Sequence, residues 1–289
     1  MTQIANPCAG VRVGFGLDAQ YSARYPGGIE ALCDTYRSRL SHISIVSLAT
    51  EDRAERFATR CAQGLPIIHH LPGIAPADPD GPKIELLKRL DKVSRALNAK
   101  WICEDIAIWS IGPYGIPYFT PPIFEPDIAD RISEGISRMQ DVSSIPFCAE
   151  VPSCSIVVGT MPLGVFFERI VRKCDCRLVA DVSHIYSYAL AVGREPREVL
   201  HSLPLESVWE LHIAGGHVDP QTARRYIDTH SEPIPDTIVS LLQEAAMACN
   251  NLKAVTYEVG VGLGPSEISF DLMRVDAALA EVGWRPQLN

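Results

Sequence analysis

The chain has 289 residues, with 26 Lys and Arg against 35 Asp and Glu, which gives a formal net charge of −9 at pH 7. Its 47% apolar and 21% charged residues are typical of a globular protein and exclude a disordered chain, collagen or a coiled coil. A nucleic-acid binder is not expected, because phosphate recognition needs a basic surface.

The sequence carries no signal for a membrane or for secretion. Met1 to Gly10 contain neither a basic segment nor an apolar run, so no signal peptide is expected. No stretch approaches the roughly 18 apolar residues of a membrane span. The nine cysteines are odd in number and scattered, which predicts reduced thiols in a cytoplasmic protein. The one tight pair, Cys174 and Cys176, lacks the second pair of a zinc site and is interpreted as a loop before a strand.

Eight short, apolar, β-branched runs recur along the chain, each followed by turn residues and a longer amphipathic stretch. Successive runs start 24 to 45 residues apart, which is the length that a strand and a returning helix require. The predicted strands are Val11–Leu17, His42–Leu48, Pro66–Leu71, Trp101–Ile108, Pro146–Val151, Arg177–Val182, Ser207–Ala214 and Leu252–Val259. Eight such units predict an α/β fold, a (β/α)₈ TIM barrel, as one domain over residues 1–289.

Several of the segments between these strands have helical spacing. The predicted helices are Gly28–Leu40, Pro82–Leu97, Asp127–Gln140, Pro162–Cys174, Glu195–Leu203 and Asp236–Asn250. Pro126 and Pro235 stand where two of them begin. The two longest connections, residues 111–126 and 215–235, follow the fourth and seventh strands. Both are predicted to be loops on the C-terminal face of the barrel, where TIM-barrel enzymes have their sites.

Residues that can bind metals recur at the carboxyl ends of predicted strands 3 to 8. Each of them alone has an ordinary explanation, such as a helix N-cap or an ion pair. Their coincidence at one end of six successive strands predicts a metal centre. Imidazole and carboxylate ligands without thiolate suit iron, manganese or zinc. The candidate ligands are His70, Asp105, Glu150, Asp181, His184, His212, Asp228, His230 and Glu258.

The spacing of these residues sets conditions on the fold. Asp181 and His184 are three residues apart, so they can serve one site only if the chain turns near Ser183. Glu210 shares a strand face with His212 and is expected to orient that ligand from the layer below. Cys103 and Cys148, each two residues before a candidate carboxylate, are expected to fill the same lower layer.

Four other histidines lie outside this set of candidate ligands. His217 is a candidate acid/base residue or further ligand, and the alternative is a solvated loop histidine. His42, His69 and His201 are expected to be structural or surface residues, although His69 would replace His70 if the register is off by one.

Six sequence motifs follow one another along predicted strands 3 to 8, over about two-thirds of the chain. They are Pro66-Ile-Ile-His-His70, Cys103-Glu-Asp-Ile106, Ala149-Glu-Val-Pro-Ser153, Leu178-Val-Ala-Asp-Val-Ser-His184, Glu210-Leu-His-Ile-Ala-Gly-Gly216 and Asp228-Thr-His-Ser-Glu-Pro-Ile-Pro235. Together they resemble the motifs of the multinuclear non-heme iron-dependent oxidative enzymes. That family usually has a histidine at the position of Asp105, and a Glu-rich segment that Ser47–Glu51 does not reproduce.

The resemblance implies two or three iron ions, as Fe(II) and Fe(III), held by the candidate ligands, with O₂ as co-substrate. It also implies that the substrate is a cysteine of a ribosomally synthesised precursor peptide, and that a small partner protein binds the leader of that peptide. The family excises the cysteine β-carbon in 3-thiaglutamate-type biosynthesis, or forms an oxazolone and a thioamide in methanobactin-type biosynthesis. The departures at Asp105 and after strand 2 favour β-carbon excision.

Other metal-dependent barrels remain alternatives. The xylose isomerase and endonuclease IV families also place His, Asp and Glu at strand ends, so a xylose-isomerase-like TIM barrel is expected in either case. A divalent-metal isomerase or phosphodiesterase is therefore the second hypothesis, although the acidic charge argues against a DNA endonuclease. A non-catalytic metal- or peptide-binding protein is the third.

Overall fold

Eight parallel strands close into a barrel in the computed structural model, which describes residues 12–288. In order around the barrel they are β1 (Val13–Asp18), β2 (Leu40–Val46), β3 (Ile67–His70), β4 (Ile102–Asp105), β7 (Phe147–Glu150), β8 (Arg177–Asp181), β9 (Val208–Ile213) and β12 (Ala254–Glu258). β12 pairs with both β9 and β1, which closes the barrel. The predicted TIM barrel is confirmed; Met1 to Gly10 and Val11, where the first predicted strand begins, lie outside the described residues.

Each of the two long connections contains an antiparallel hairpin, so their prediction as loops was incomplete. The first hairpin pairs β5 (Ile108–Ile111) with β6 (Tyr114–Thr120), and the second pairs β10 (Gly216–Val218) with β11 (Tyr226–Asp228). The fourth predicted strand, Trp101–Ile108, is correspondingly divided. Its barrel part ends at Asp105, and Ile108 already belongs to the hairpin.

Nine helices alternate with the barrel strands over the described residues. They are α1 (Gly28–Tyr36), α2 (Glu51–Phe57), α3 (Ile84–Ala96), α4 (Pro126–Gln140), α5 (Leu163–Cys174), α6 (Val182–Val192), α7 (Pro196–Ser202), α8 (Asp236–Ala248) and α9 (Pro265–Glu281). The six predicted helices are present with shifted ends, and α2, α6 and α9 were missed. α6 is largely apolar and lacks the polar face that marks a helical period. None of the helices in residues 12–288 has the length and apolar character needed to cross a membrane.

The barrel interior is layered along its strands. An apolar cluster, called here the lower cluster, comprises Ile68, Trp101, Cys103, Cys148, Val179, Ala254 and Leu288. The expected packing of Cys103 and Cys148 in the layer beneath the candidate ligands is confirmed. Because alternate strand residues share a face, the next inward positions along β4 and β7 are Asp105 and Glu150. The eight cysteines among residues 12–288 are all buried and free.

Candidate metal centre

Four histidines and four carboxylates form a closed, alternating ring at the C-terminal mouth of the barrel. Facing nitrogen and oxygen atoms of successive members lie 2.9 to 3.9 Å apart. In order, this His–carboxylate ring comprises His70, Glu150, His212, Glu258, His230, Asp228, His184 and Asp105. The fold thus brings together eight of the nine candidate ligands from six strands and their loops.

The ninth candidate, Asp181, ends β8 at the start of α6. One of its carboxylate oxygens accepts a hydrogen bond from the backbone N–H of His184 at 2.8 Å, which makes Asp181 the N-cap of the helix. Donor atoms of Asp181, Glu150 and His212 lie within 4.8 Å of one another. The chain therefore turns immediately after Asp181, as a shared site for Asp181 and His184 requires.

Contacts outside the ring fix the orientation of two of its histidines. The Nδ1–H of His184 donates to the Val151 carbonyl at 2.7 Å, which leaves Nε2 facing Asp228. His212 has its Nε2 3.1 Å from Glu210, so its Nδ1 faces two ring carboxylates. Metal-binding histidines are commonly oriented by partners of this kind.

Glu210 is itself held in a buried network below the ring. Its carboxylate accepts hydrogen bonds from the indole N–H of Trp101, at 2.7 Å, and from the Thr256 hydroxyl. The same hydroxyl lies 2.8 Å from Nε2 of His42. Burial lowers the pKa of His42 to about 4, so this histidine is neutral. His42 is therefore a structural residue, as expected.

The remaining histidines lie away from the ring. His69 hydrogen-bonds Ser94 with its Nδ1 at 2.8 Å, so His70 and not His69 is the ring member on β3. His201 pairs with Glu244 on the surface. His217 lies on β10 with its Nδ1 2.9 Å from Glu232, and its side chain is 44% exposed.

Burial and mutual charge shift the ring pKa values in different directions. Burial raises the pKa of Glu150, but His212 and His70 outweigh it and hold the pKa at about 2. Burial also lowers the pKa of His230, whereas Asp228 and Glu258 raise it to about 10. Asp105 differs, because burial and the nearby Glu150 charge both raise its pKa. In metal-free protein the ring thus retains protons that a bound cation would displace.

The backbone is adapted to bring two ring members close. A Cβ at Gly16 would lie 2.8 Å from Cγ of Glu258, and one at Gly260 would lie 1.9 Å from the carbonyl oxygen of His230. His230 has a φ of 54°, in the left-handed region that non-glycine residues rarely adopt. Strained residues of this kind persist where surrounding structure holds them, often at functional sites.

A cavity of about 520 Å³ opens above the ring, and every ring member except His212 lines it. The hairpin β5–β6, the residues that follow β1 and β2, and the residues around His230 and after β12 form its walls. No Lys or Arg is among the described residues that line it. The cavity is therefore acidic and aromatic, without the cations that usually bind a phosphate.

The sequence family described as RiPP precursor modification enzyme MbnB/TglH/ChrH matches residues 40–261. The chain belongs to this family. A UPF0276 protein of Caulobacter vibrioides is 24% identical over 238 residues, which cover 81% of this chain and 82% of the relative. The UPF0276 protein PA3283 of Pseudomonas aeruginosa is 29% identical over 157 residues, 54% of each chain.

Solved structures share the fold of this MbnB/TglH/ChrH family member. A D-psicose 3-epimerase has a TM-score of 0.57 and 15% identity, with 94% of this chain and 96% of the epimerase covered. A xylose isomerase-like TIM barrel protein from Mycobacterium smegmatis, in complex with magnesium, has a TM-score of 0.59 and 14% identity, with 94% and 99% covered. These likenesses confirm a xylose-isomerase-like TIM barrel.

The side chains of this family member fit a metal cluster. Buried polar atoms without a hydrogen-bond partner among residues 12–288 include both ring nitrogens of His212 and one carboxylate oxygen each of Glu150, Asp181 and Asp228. An unpartnered buried charge costs several kcal/mol, in the range of about 3–5, and coordination of cations would remove that cost. Imidazole nitrogen and carboxylate oxygen are donors that iron accepts.

Sequence reasoning missed several residues that shape this site. The Val151 carbonyl that orients His184 leaves no signal in a sequence, because any residue supplies a carbonyl. The second missed residue is Trp109, which lines the cavity beside Tyr118 and Phe119 of the hairpin β5–β6. Its aromatic side chain just beyond the fourth barrel strand was the available signal.

Proposed function

We propose that this chain is an iron- and O₂-dependent oxidoreductase that modifies a cysteine residue of a ribosomally synthesised precursor peptide. The observation that carries the proposal is the His–carboxylate ring at the base of an open cavity, in a member of a family of RiPP precursor modification enzymes. The family supports the peptide substrate, and the donor set supports iron.

The proposed ligands are the eight ring members and Asp181, which would hold two or three iron ions. Five of these nine side chains are carboxylates, so they can balance the charge of more than one divalent or trivalent cation. When bound, the iron would supply a binding position for the substrate thiolate and the electrons that reduce O₂.

The protein's own residues have three roles in this proposal. The Val151 carbonyl keeps the proton of His184 on Nδ1, so that Nε2 stays available to a metal. Glu210 places a carboxylate oxygen 3.1 Å from Nε2 of His212 and orients that ring by charge attraction. Burial of Asp181 and His212 beneath the cavity keeps water from competing with these ligands.

The cavity also bears on the class of substrate. Its described lining has no Lys or Arg, which is unfavourable for a phosphodiesterase or for a phosphorylated sugar. A volume of about 520 Å³ takes a short stretch of peptide and not a whole precursor. A small partner protein that binds the leader peptide would hold the rest.

Of the two outcomes in the family, we propose excision of the cysteine β-carbon. The support is Asp105, a carboxylate at a ring position where the family usually has a histidine. Release of formate would identify excision. An oxazolone and a thioamide, detected by mass spectrometry of the peptide, would identify the other outcome.

His217 remains a proposed acid/base residue. His217→Ala with full metal content and impaired turnover would support that role, and unchanged turnover would remove it.

The decisive test is the metal content of protein purified without oxygen, followed by Mössbauer spectroscopy of an iron-57 sample. Two or more irons per chain in mixed oxidation states, together with O₂-dependent modification of a cysteine-containing peptide, are expected. Zinc or manganese alone, with an activity indifferent to iron and O₂, would contradict the proposal and favour a divalent-metal isomerase.

A further inference from the structure

The hairpin β5–β6 forms an aromatic wall of the cavity. Trp109, Tyr118 and Phe119 all line it, together with the ring members at its base. The rings of Tyr118 and Phe119 are stacked with centroids 4.7 Å apart, and Trp109 is 5.2 Å from Phe119. The proposed function leaves this wall without a role.

The hairpin is anchored at its first strand. Asp78, buried between β3 and α3, accepts hydrogen bonds from the backbone N–H groups of Trp109 and Ser110, at 2.6 and 3.1 Å, and from the Ser110 hydroxyl. β5 is therefore fixed to the barrel, and β6 is held at the cavity through its pairing with β5.

Three consecutive residues of β6, Pro117, Tyr118 and Phe119, line the cavity. The register between β5 and β6 shifts along this stretch, and Pro117 has no backbone N–H to donate. This part of β6 therefore offers the cavity its side chains and not a regular strand edge.

Tyr118 is the wall residue best placed to contact a ligand. Tyr118 is 64% exposed, so its ring face is open to a ligand in the cavity. The phenol combines an apolar face with a polar tip, and it lines the same cavity as Asp105, Asp228 and Glu258.

We propose that the precursor peptide crosses the cavity mouth beside β6, with an apolar side chain next to the modified residue packed against Tyr118 and Phe119. This inference rests on the proposed function for the identity of the substrate. It adds a substrate rule: the residues beside the modified one must be aromatic or aliphatic.

The test is binding of short peptides to the metal-loaded protein without O₂, by isothermal titration calorimetry. The probes are acetylated, amidated hexapeptides with one central cysteine, whose neighbours are Leu, Phe, Gly or Asp. We expect the Leu and Phe peptides to bind at least about tenfold more tightly than the Gly and Asp peptides. Equal affinities, or no binding by any peptide, would overturn the inference.

Two variants in the hairpin β5–β6 test whether Tyr118 causes the preference for Leu and Phe peptides. Tyr118→Ala should weaken binding of the Leu and Phe peptides about tenfold and leave the Gly peptide within about twofold. Tyr114→Ala removes the same side chain from the hairpin tip, where Tyr114 is 77% exposed and does not line the cavity, and should change neither. Equal losses in both variants would contradict a specific role for Tyr118.

Failure of this inference is distinguishable from failure of the proposed function. Peptides that bind with the expected dependence on Tyr118, but whose cysteine stays unmodified when iron-loaded protein meets O₂, would refute the function and retain the inference. If wild type and Tyr118→Ala both oxidise every peptide equally well, the inference is refuted and the proposed function is retained.

Discussion

The two layers of the barrel interior use the same strands for opposite purposes. On β3, Ile68 belongs to the lower cluster and His70 to the His–carboxylate ring. On β4 and β7, Cys103 and Cys148 precede Asp105 and Glu150 by two residues. One step along a strand face thus separates dry apolar packing from a dense set of charges.

The difference shows how the fold supports a charged centre. The main apolar core, which buries side chains of both strands and helices, and the lower cluster together supply the burial that stabilises the barrel. The ring therefore need not contribute to that stability. The ring would be costly without bound cations, because all its side chains except that of His230 are at most 13% exposed. Stability and function should therefore respond separately to substitutions in the two layers.

The largest effect is expected from His212→Ala, which removes the ring member that faces Glu150, Glu210 and Glu258. Iron content should fall and turnover should drop more than about 100-fold, since even indirect metal partners commonly cost 10–100-fold. Metal analysis and peptide turnover measure this, and circular dichroism should show the barrel folded. His201→Ala, on the surface, is the control. Turnover at the wild-type rate would remove His212 from the site.

Ile68→Ala tests the lower cluster. Ile68 is fully buried, so its truncation should reduce the free energy of unfolding by about 2–5 kcal/mol, and Ile68→Val by about 0.5–1.5 kcal/mol. Urea unfolding measures the loss. Metal content of the folded fraction should be unchanged. Loss of metal at full stability would show that the layers are not separate.

Glu210→Gln sharpens the comparison, because Glu210 is a charged residue in the lower layer. The amide still offers an oxygen to the Trp101 N–H but removes the charge beside Nε2 of His212. Iron affinity or turnover should fall about 10–100-fold while the free energy of unfolding changes little. Competition with a chelator measures the affinity. A variant with wild-type affinity would make Glu210 a purely structural residue.

The smallest effect concerns pH. Burial lowers the pKa of His230, but Asp228 and Glu258 raise it to about 10, above the value of about 6.5 in the unfolded chain. In chelated protein this stabilisation is complete below about pH 6.5 and is lost as the pH rises toward 10. Thermal unfolding across that range should show the decline, and His230→Gln should flatten it. Iron binding should release protons and strengthen with pH. A stability of the chelated protein that rises between about pH 6.5 and 10 would contradict this prediction.

The helices and strands that sequence reasoning located share one property: each has a clear period or apolar run. The barrel strands were found because buried parallel strands are continuous apolar runs. α6 was missed because a helix buried on most sides has no polar face. The hairpin β5–β6 was missed because its residues are mostly exposed, so no alternation of buried and exposed positions marks them.

At the candidate site, too, some features follow from local sequence and others do not. Strand ends meet at one edge of a barrel, so the positions of His70, Glu150 and His212 were enough to expect them together. The pairing around the ring was not available from the sequence, since it depends on register and on side-chain direction. His217 and His230 are both loop histidines in one connection, yet only His230 joins the ring.

The sequence by itself determined the barrel and the residues at its mouth, because hydrophobic periodicity and strand-end position are properties of neighbouring residues. Tertiary structure decided the rest. The alternation of histidine and carboxylate, the carbonyl behind His184, and the aromatic wall beside the ring bring together segments far apart in the chain. Such contacts depend on how the segments pack against one another, and a local pattern does not encode that.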